Sequence, residues 1–369
     1  MLTRVEIKNY RGFESYEMQG LSQVNLLVGK NNSGKTALLE GIQFLTSGGD
    51  PAVLAEVAER RGEVVLTRPE PTAFVDIAHF FHGHTLAIDC SFTISGDNGY
   101  HPVTVKTFAQ DNRNKAGATG ASGPERANAS GFFLKISGPP RSEREDPRFR
   151  ISREGGVDFE VPPTRFRRMG VPRKSHGPQV RFVGPDSLNS IDMAVMWDEV
   201  TLKGQEIDVA EAMRVLEGEL ESVHFLTGML AQGYFPSRGG IVVGIKGQEG
   251  RIPLGSMGDG MRRLMALATS LAFTKDGCLF VDEIDTGLHY TVMSDMWKMV
   301  ISKAISSNTQ VFATTHSWDC IEGLSQLCEH HPDLMPMASI HKIDNAIPHS
   351  VPFSGESIVR MVKADIDPR

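Results

Sequence analysis

The sequence predicts an α/β fold with three parts: a parallel sheet core built around a glycine-bracketed loop, an N-terminal antiparallel β lobe and a loop-rich insertion. Three observations predict it. The stretch VNLLVGKNNSGKTALLEGI, residues 24 to 42, reads as strand, loop and helix: Val24 to Val28 is an apolar run broken only by Asn25, and Ala37, Leu38, Leu39, Ile42 and Leu45 repeat at helical spacing. Two later apolar runs, in CLFVDE at 278 to 283 and VFATTHS at 311 to 317, each end in polar groups, as parallel strands do where ligands bind at their C-terminal ends. Leu2 to Lys8 and Thr85 to Ile94 instead alternate apolar with polar residues, the period of half-buried antiparallel strands.

Taken in order, the strand over Leu2 to Lys8 is followed by a turn through Asn9, Tyr10, Arg11, Gly12 and Phe13. The helix behind the loop is expected to run to about Thr46, and a second helix covers Ala52 to Arg61. After the strand over Thr85 to Ile94 the composition shifts. Residues 97 to 180 are rich in Gly, Pro, Ser, Asn and Arg, with short strand candidates at Thr104 to Phe108, Phe132 to Ser137 and Val157 to Val161. Between Arg141 and Arg181 lie eleven cations against six acids, a pattern that suits a solvated surface segment or a contact with a phosphate backbone or an acidic partner. Leu188 to Val200 and Glu206 to Glu217 are helical by spacing, and Val223 to Phe225, Gly239 to Ile245 and Arg251 to Leu254 are strands. The α/β pattern then resumes. Helices are predicted over Ser256 to Phe273, Tyr290 to Ser306, Trp318 to Cys328 and Ser357 to Val362, with strands at Cys278 to Val281, Gln310 to Ala313 and Ser339 to Ile343. The domain boundaries that follow are 1–96 and 181–369 for the two parts of the core and 97–180 for the insertion.

The chemistry sits where apolar runs stop. Gly29 and Gly34 bracket Lys30, Asn31, Asn32 and Ser33 ahead of Lys35 and Thr36. A loop of this kind turns successive backbone N–H groups inward at the positive end of a helix dipole, so it can hold a polyphosphate. Lys35 would reach the β and γ phosphates and the Thr36 hydroxyl would sit on Mg²⁺, which points to ATP or GTP. The strand over Cys278 to Val281 delivers Asp282 to the same Mg²⁺ and places Glu283 to take a proton from an attacking water. His316 ends the next strand, where it is either a γ-phosphate sensor or a hydrogen-bonded structural residue. In PLGSMGDGMRRL, residues 253 to 264, Ser256 either caps the following helix or, with the N–H groups near Gly258, offers a second anion site.

Composition bounds the rest. With 40% hydrophobic and 22% charged residues the chain is that of a globular protein, and no apolar run is long enough to span a bilayer. Arg4, Glu6 and Lys8 alternate with Leu2, Val5 and Ile7, unlike a signal peptide, so a cytoplasmic protein with no membrane partner is expected. Cys90, Cys278, Cys320 and Cys328 lack zinc-site spacing and are expected as buried thiols, with no disulfide and no metal beyond Mg²⁺. The formal net charge of −7 argues against a uniform nucleic-acid-binding surface and leaves room for a local basic one.

Together these motifs resemble the ABC-type ATPases, in particular the RecF, SMC and OLD-nuclease-like branch of AAA-family ATP-binding proteins. The resemblance spans nearly the whole chain: EIKNYRGFES at the start, GKNNSGKT as Walker A, SMGDG as the signature, FVDEIDTGLH as Walker B and D-loop, and TTHSWD as the switch histidine. It implies a P-loop ABC-type ATPase head with a RecA-like sheet. Such heads form a homodimer on ATP binding, head to tail, so Ser256 and Gly258 would face the γ-phosphate of the opposing subunit. Arg11 becomes a phosphate contact by the same resemblance. The implied activity is Mg²⁺-dependent ATP hydrolysis used as a conformational switch in DNA-linked processes such as repair or anti-phage defence, with a separately encoded nuclease or other effector and with DNA as possible partners. The alternative is an ATP-gated scaffold that binds DNA or a partner protein with little turnover. The sequence departs from the family at Asp259, where Gln or Glu is common, and it has no Gln between Gln43 and Gln110 for a Q-loop, a region the segment His79 to His82 would occupy. Neither a long coiled coil nor a TOPRIM nuclease domain is expected.

Overall fold

A strand buried on both faces needs neighbours on both edges, and Val24–Val28 has them. In the computed structural model, which describes residues 1–66, 73–110, 131–139, 146–152, 155–159, 179–186, 190–226 and 240–369, it pairs in parallel with Gln310–Thr314 on one side and Ala338–Lys342 on the other. The full order of this sheet is Val180–Val183, Cys278–Val281, Gln310–Thr314, Val24–Val28, Ala338–Lys342 and Val351–Ser354, parallel throughout except for the last pairing. Every residue of the three strands carrying the sequence motifs is buried. That is why they read as mostly apolar runs with no polar alternation. Because the three are neighbours and parallel, the residues that follow them emerge along one edge of the sheet.

The chain divides into two compact units, one made of Met1–Arg4, Met18–Leu39 and Pro162–Arg369, the other of Val5–Glu17 and Glu40–Val161. In the first unit the sheet shares one apolar core with the helices Asp259–Phe273, Met293–Ser306 and Trp318–His330. Trp297 is fully buried there and its indole N–H donates to the Cys320 carbonyl at 2.9 Å. Gly323 lies where a side chain would collide with Met293, so two of these helices approach closely. A smaller antiparallel sheet, Leu220–Phe225, Ile241–Ile245 and Ile252–Pro253, leads into the signature segment. Two helices begin later than the sequence reading placed them: a 3₁₀ turn, Leu254–Met257, precedes the helix that begins at Asp259, and another, Tyr290–Val292, precedes the one that begins at Met293.

The second unit carries the antiparallel lobe, in the order Phe13–Gln19, Arg4–Tyr10, Ser91–Gly96, Val103–Gln110, Gly131–Ser137 and Arg148–Arg150. Three of these strands fall inside the segment read as a loop-rich insertion. Short alternating runs hold them in the sheet, with Val103, Val105, Leu134 and Ile136 buried while Lys106 and Lys135 pair with Asp89 and Asp146. The surrounding Gly and Pro obscure that alternation. The strand expected from Thr85 starts only at Ser91, because Asp89 takes a left-handed φ of 64° and Ile88 is 58% exposed. The strand expected over Val157 to Val161 is Gly156–Val157, paired with Ala73–Asp76, and residues 160 and 161 lie outside the described residues. Of the basic cluster, Arg148 and Arg150 are exposed on the last strand and Arg181 pairs with Asp192 at 3.5 Å. Arg141, Arg144, Arg153, Arg165, Arg167, Arg168, Arg173 and Lys174 lie outside the described residues.

Candidate functional site

The loop after Val24–Val28 turns on two glycines. Gly29 has φ 150° and Gly34 φ 92°, and a side chain at Gly29 would run into the carbonyl oxygen of Ile343. Asn32 joins them in the left-handed region at φ 61°, and Lys30 and Asn31 are exposed. The helix Lys35–Thr46 follows directly, with the Leu38 N–H donating to the Gly34 carbonyl at 2.9 Å. Lys35 is 5% exposed and its ammonium donates to the carbonyls of Gly29 and Lys30, each at 2.8 Å. Burial pulls this lysine below its ordinary value, against the opposing charges of Asp282 and Glu283. The buried Ser33 hydroxyl is left without a partner. The loop thus holds a cation and an unspent hydroxyl beside a helix N-terminus, a donor set that fits a phosphate.

The acid pair reaches the same loop through two threonines. The Thr36 hydroxyl lies 3.2 Å from both carboxylate oxygens of Asp282, and the Thr314 hydroxyl donates to Asp282 at 2.5 Å while accepting from the Glu283 N–H at 2.9 Å. Glu283 has φ 50°, a conformation that residues with a side chain seldom adopt. This turns its carboxylate off the end of the strand, where the Thr286 hydroxyl lies 3.5 Å away. Thr36 and Asp282 are hard oxygen donors, the kind Mg²⁺ selects, and an ion that keeps most of its water needs no larger protein cage. Among the described residues no group of three or more His, Cys, Asp or Glu side chains is arranged for a metal. His316 is exposed at the end of Gln310–Thr314 and is held through its backbone, its carbonyl accepting from Arg369 at 2.7 Å. Before it, the Thr315 hydroxyl donates to Asp285 at 2.6 Å.

Ser256 and Gly258 are exposed on the turn before Asp259–Phe273. The capping role weighed for Ser256 does not hold: Gly258 occupies the cap position, at φ 92°, with no side-chain hydrogen bond. Arg11 needs a correction too. It is 4% exposed, with its guanidinium forked onto Glu63 at 2.7 and 2.9 Å and its Nε 3.2 Å from Glu40. The same group lies 4.8 Å from the centre of the Phe80 ring. Two carboxylates take the charge that a phosphate would need, so Arg11 is a structural ion-pair residue.

Sequence reasoning missed Thr314, Thr315 and Arg263. The threonines stood in view inside TTHS but were read only as the approach to His316. Arg263 is 1% exposed and donates to the carbonyls of Gly184 at 2.6 Å, Asp282 at 2.7 Å, Glu283 at 2.7 Å and Ile284 at 3.3 Å. Burial pushes its pKa down to about 10, against the charges of Asp285, Asp282 and Glu283. One signal could have found it: Arg263 stands one turn before Leu267, on the apolar face of its helix.

The model of the AAA ATPase domain family matches residues 1–121 and 189–321. An ATP/GTP phosphatase of Helicobacter pylori is 22% identical over 346 residues, covering 89% of this chain and 88% of that protein. Among solved structures, an SmcHead bound to the C-winged helix domain of ScpA has a TM-score of 0.48 at 12% identity, covering 97% of this chain and 99% of its own. The SMC head domain from Thermotoga maritima gives a TM-score of 0.42 at 14% identity, with 96% and 98% covered. The family match takes in the glycine loop, the signature helix, the acid pair and the histidine strand, and it covers more than half of the sequence: the chain belongs to the AAA ATPase domain family.

Proposed function

We propose that this protein binds ATP with Mg²⁺ and hydrolyses it, and that two copies close head to tail around the nucleotide. One observation carries the reading: Thr36 and Asp282, 246 residues apart in the sequence, meet at 3.2 Å beside the glycine loop. Thr36 and Asp282 would hold the Mg²⁺, which when bound would neutralise charge on the β and γ oxygens. The N–H groups from Lys30 to Lys35 would orient the phosphates, with the Lys35 ammonium leaving its two carbonyls to meet them. Glu283, turned outward by its left-handed backbone, would accept the proton of the attacking water. His316 would contact the γ-phosphate from the neighbouring strand. The name of the Helicobacter relative, a phosphatase of ATP and GTP, agrees with this chemistry.

Exposure of Ser256 and Gly258 supports the dimer, since a segment free of intrachain cover is available to an opposing subunit. Opening and closing would be read by a partner: DNA, or a separately encoded effector in repair or anti-phage defence, as the motif resemblance implies. Phosphate release from ATP by the purified protein, with and without Mg²⁺, tests the reaction. Ser256→Arg tests the geometry. This variant should bind ATP as a monomer while losing ATP-dependent dimerisation in light scattering, and equal dimerisation by variant and parent would refute the head-to-tail arrangement.

A further inference from the structure

Arg263 has no part in the chemistry above, yet its guanidinium is buried and spread over the carbonyls of Asp282, Glu283, Ile284 and Gly184. The left-handed turn at Glu283 explains the need. It turns three successive carbonyls toward one side, away from the sheet ladder, and buried carbonyls require donors. A planar fork with five N–H groups can serve several at once; an ammonium, a point charge on a flexible stem, cannot hold the same geometry. A second contact joins the same two elements. A Cβ at Gly260 would lie 2.7 Å from the Gly287 carbonyl oxygen, and one at Gly287 would lie 3.2 Å from Asp259. The start of the signature helix therefore touches the segment after the acid pair backbone to backbone, while Arg263, one turn further on, grips the acid pair itself.

We infer that Arg263 is a positioning residue for Glu283, coupling the exposed Ser256–Gly258 segment to the general base. A helix is stiff over the few residues from Gly258 to Arg263, so a shift of the exposed segment moves the guanidinium, and the guanidinium moves the peptide groups that aim the Glu283 carboxylate. Engagement of the signature by an opposing nucleotide is thereby felt at the acid that activates water. The inference rests on the hydrolysis reading, and its test separates the two.

Arg263→Lys, made in the full chain and assayed with ATP and Mg²⁺, keeps the charge and loses the fork. Turnover should fall roughly 10- to 100-fold, the cost of a displaced catalytic group, with the KM for ATP and the thermal midpoint little changed. A merely structural role would not give the next result. In a Glu283→Gln background, Arg263→Lys should cause no further loss, because the base it positions is already gone. Losses that multiply across the two variants would overturn the inference. If Arg263→Lys does not fold, amide exchange on the unmodified protein decides. Segments 258–264 and 282–288 should be protected together when ATP is added, and protection of one without the other would overturn it. A parent protein that releases no phosphate sinks the hydrolysis reading; an active parent matched by Arg263→Lys sinks only the coupling.

Discussion

Each of the two units buries charge, and they do so in opposite ways. In the second unit charges meet charges: Glu40 is 1% exposed and receives Arg11 and Arg61 at 3.2 and 2.8 Å, while Glu63 takes the other side of Arg11 at 2.7 Å. In the first unit charges meet neutral dipoles. Lys35 donates to two backbone carbonyls, Asp282 accepts from two threonine hydroxyls, and Arg263 donates to the backbone carbonyls at the turn. Opposite charges that are already paired gain little from a new partner, whereas charges held by dipoles can exchange those dipoles for a ligand. The contrast separates structural from chemical use of the same residue types. It also explains why Arg11, attractive beside a phosphate loop in the sequence, belongs to the structural set.

Substitutions can break that contrast. Lys35→Ala should give the largest effect, loss of ATP binding in calorimetry, with thermal stability preserved because no carboxylate is left unpaired by it; affinity equal to the parent's would remove Lys35 from the site. Arg11→Met should do the reverse. Leaving the half-buried Glu63 without its cation and Glu40 with Arg61 alone costs up to about 3–5 kcal/mol in denaturant unfolding, and the folded fraction should bind ATP as the parent does. A stable Arg11→Met with weakened ATP binding would return Arg11 to the phosphates.

A smaller effect sharpens the comparison, because the first unit also buries a neutral polar chain beside its central strand. His341 lies between the hydroxyls of Ser339 at 3.0 Å and Ser350 at 3.4 Å, and Ser339 donates to Asn25 at 3.0 Å. Burial pushes the His341 imidazole down to about 4 from 6.5. The unfolded chain therefore binds more protons than the fold between these values. Stability from this residue is complete above pH 6.5 and is lost as pH falls toward 4, by about 3 kcal/mol in all. Urea midpoints for the parent and for His341→Asn should converge over that range, and parallel curves would mean that the ring is solvated.

Legibility in the sequence followed the direction of burial. Cys278–Val281 and Gln310–Thr314 are buried on both faces and stood out as apolar runs ending in chemistry, and the glycine loop declared itself because its backbone demands glycine at Gly29 and Gly34. The strands Val103–Gln110 and Gly131–Ser137 were harder to read. Their apolar residues alternate with polar ones, and the Gly- and Pro-rich composition around them suggested loop. Side-chain partnership was the least legible feature. Nothing local in NYRGF says that Arg11 will meet Glu63, 52 residues on, nor in GMRRL that the second arginine will grip a turn 20 residues away. Such contacts depend on how elements are brought together, which periodicity along one element does not encode.

The central claim, that the acid after Asp282 activates water at a nucleotide held by the glycine loop, is tested most directly by comparing ATP binding and ATP turnover in Glu283→Gln. The substitution keeps the side chain's size and leaves Lys35, Thr36 and Asp282 untouched. Binding should match the parent's while turnover falls by about 10²-fold or more, and the ATP-bound form should accumulate as a dimer in light scattering. Unchanged turnover with unchanged binding would contradict the account.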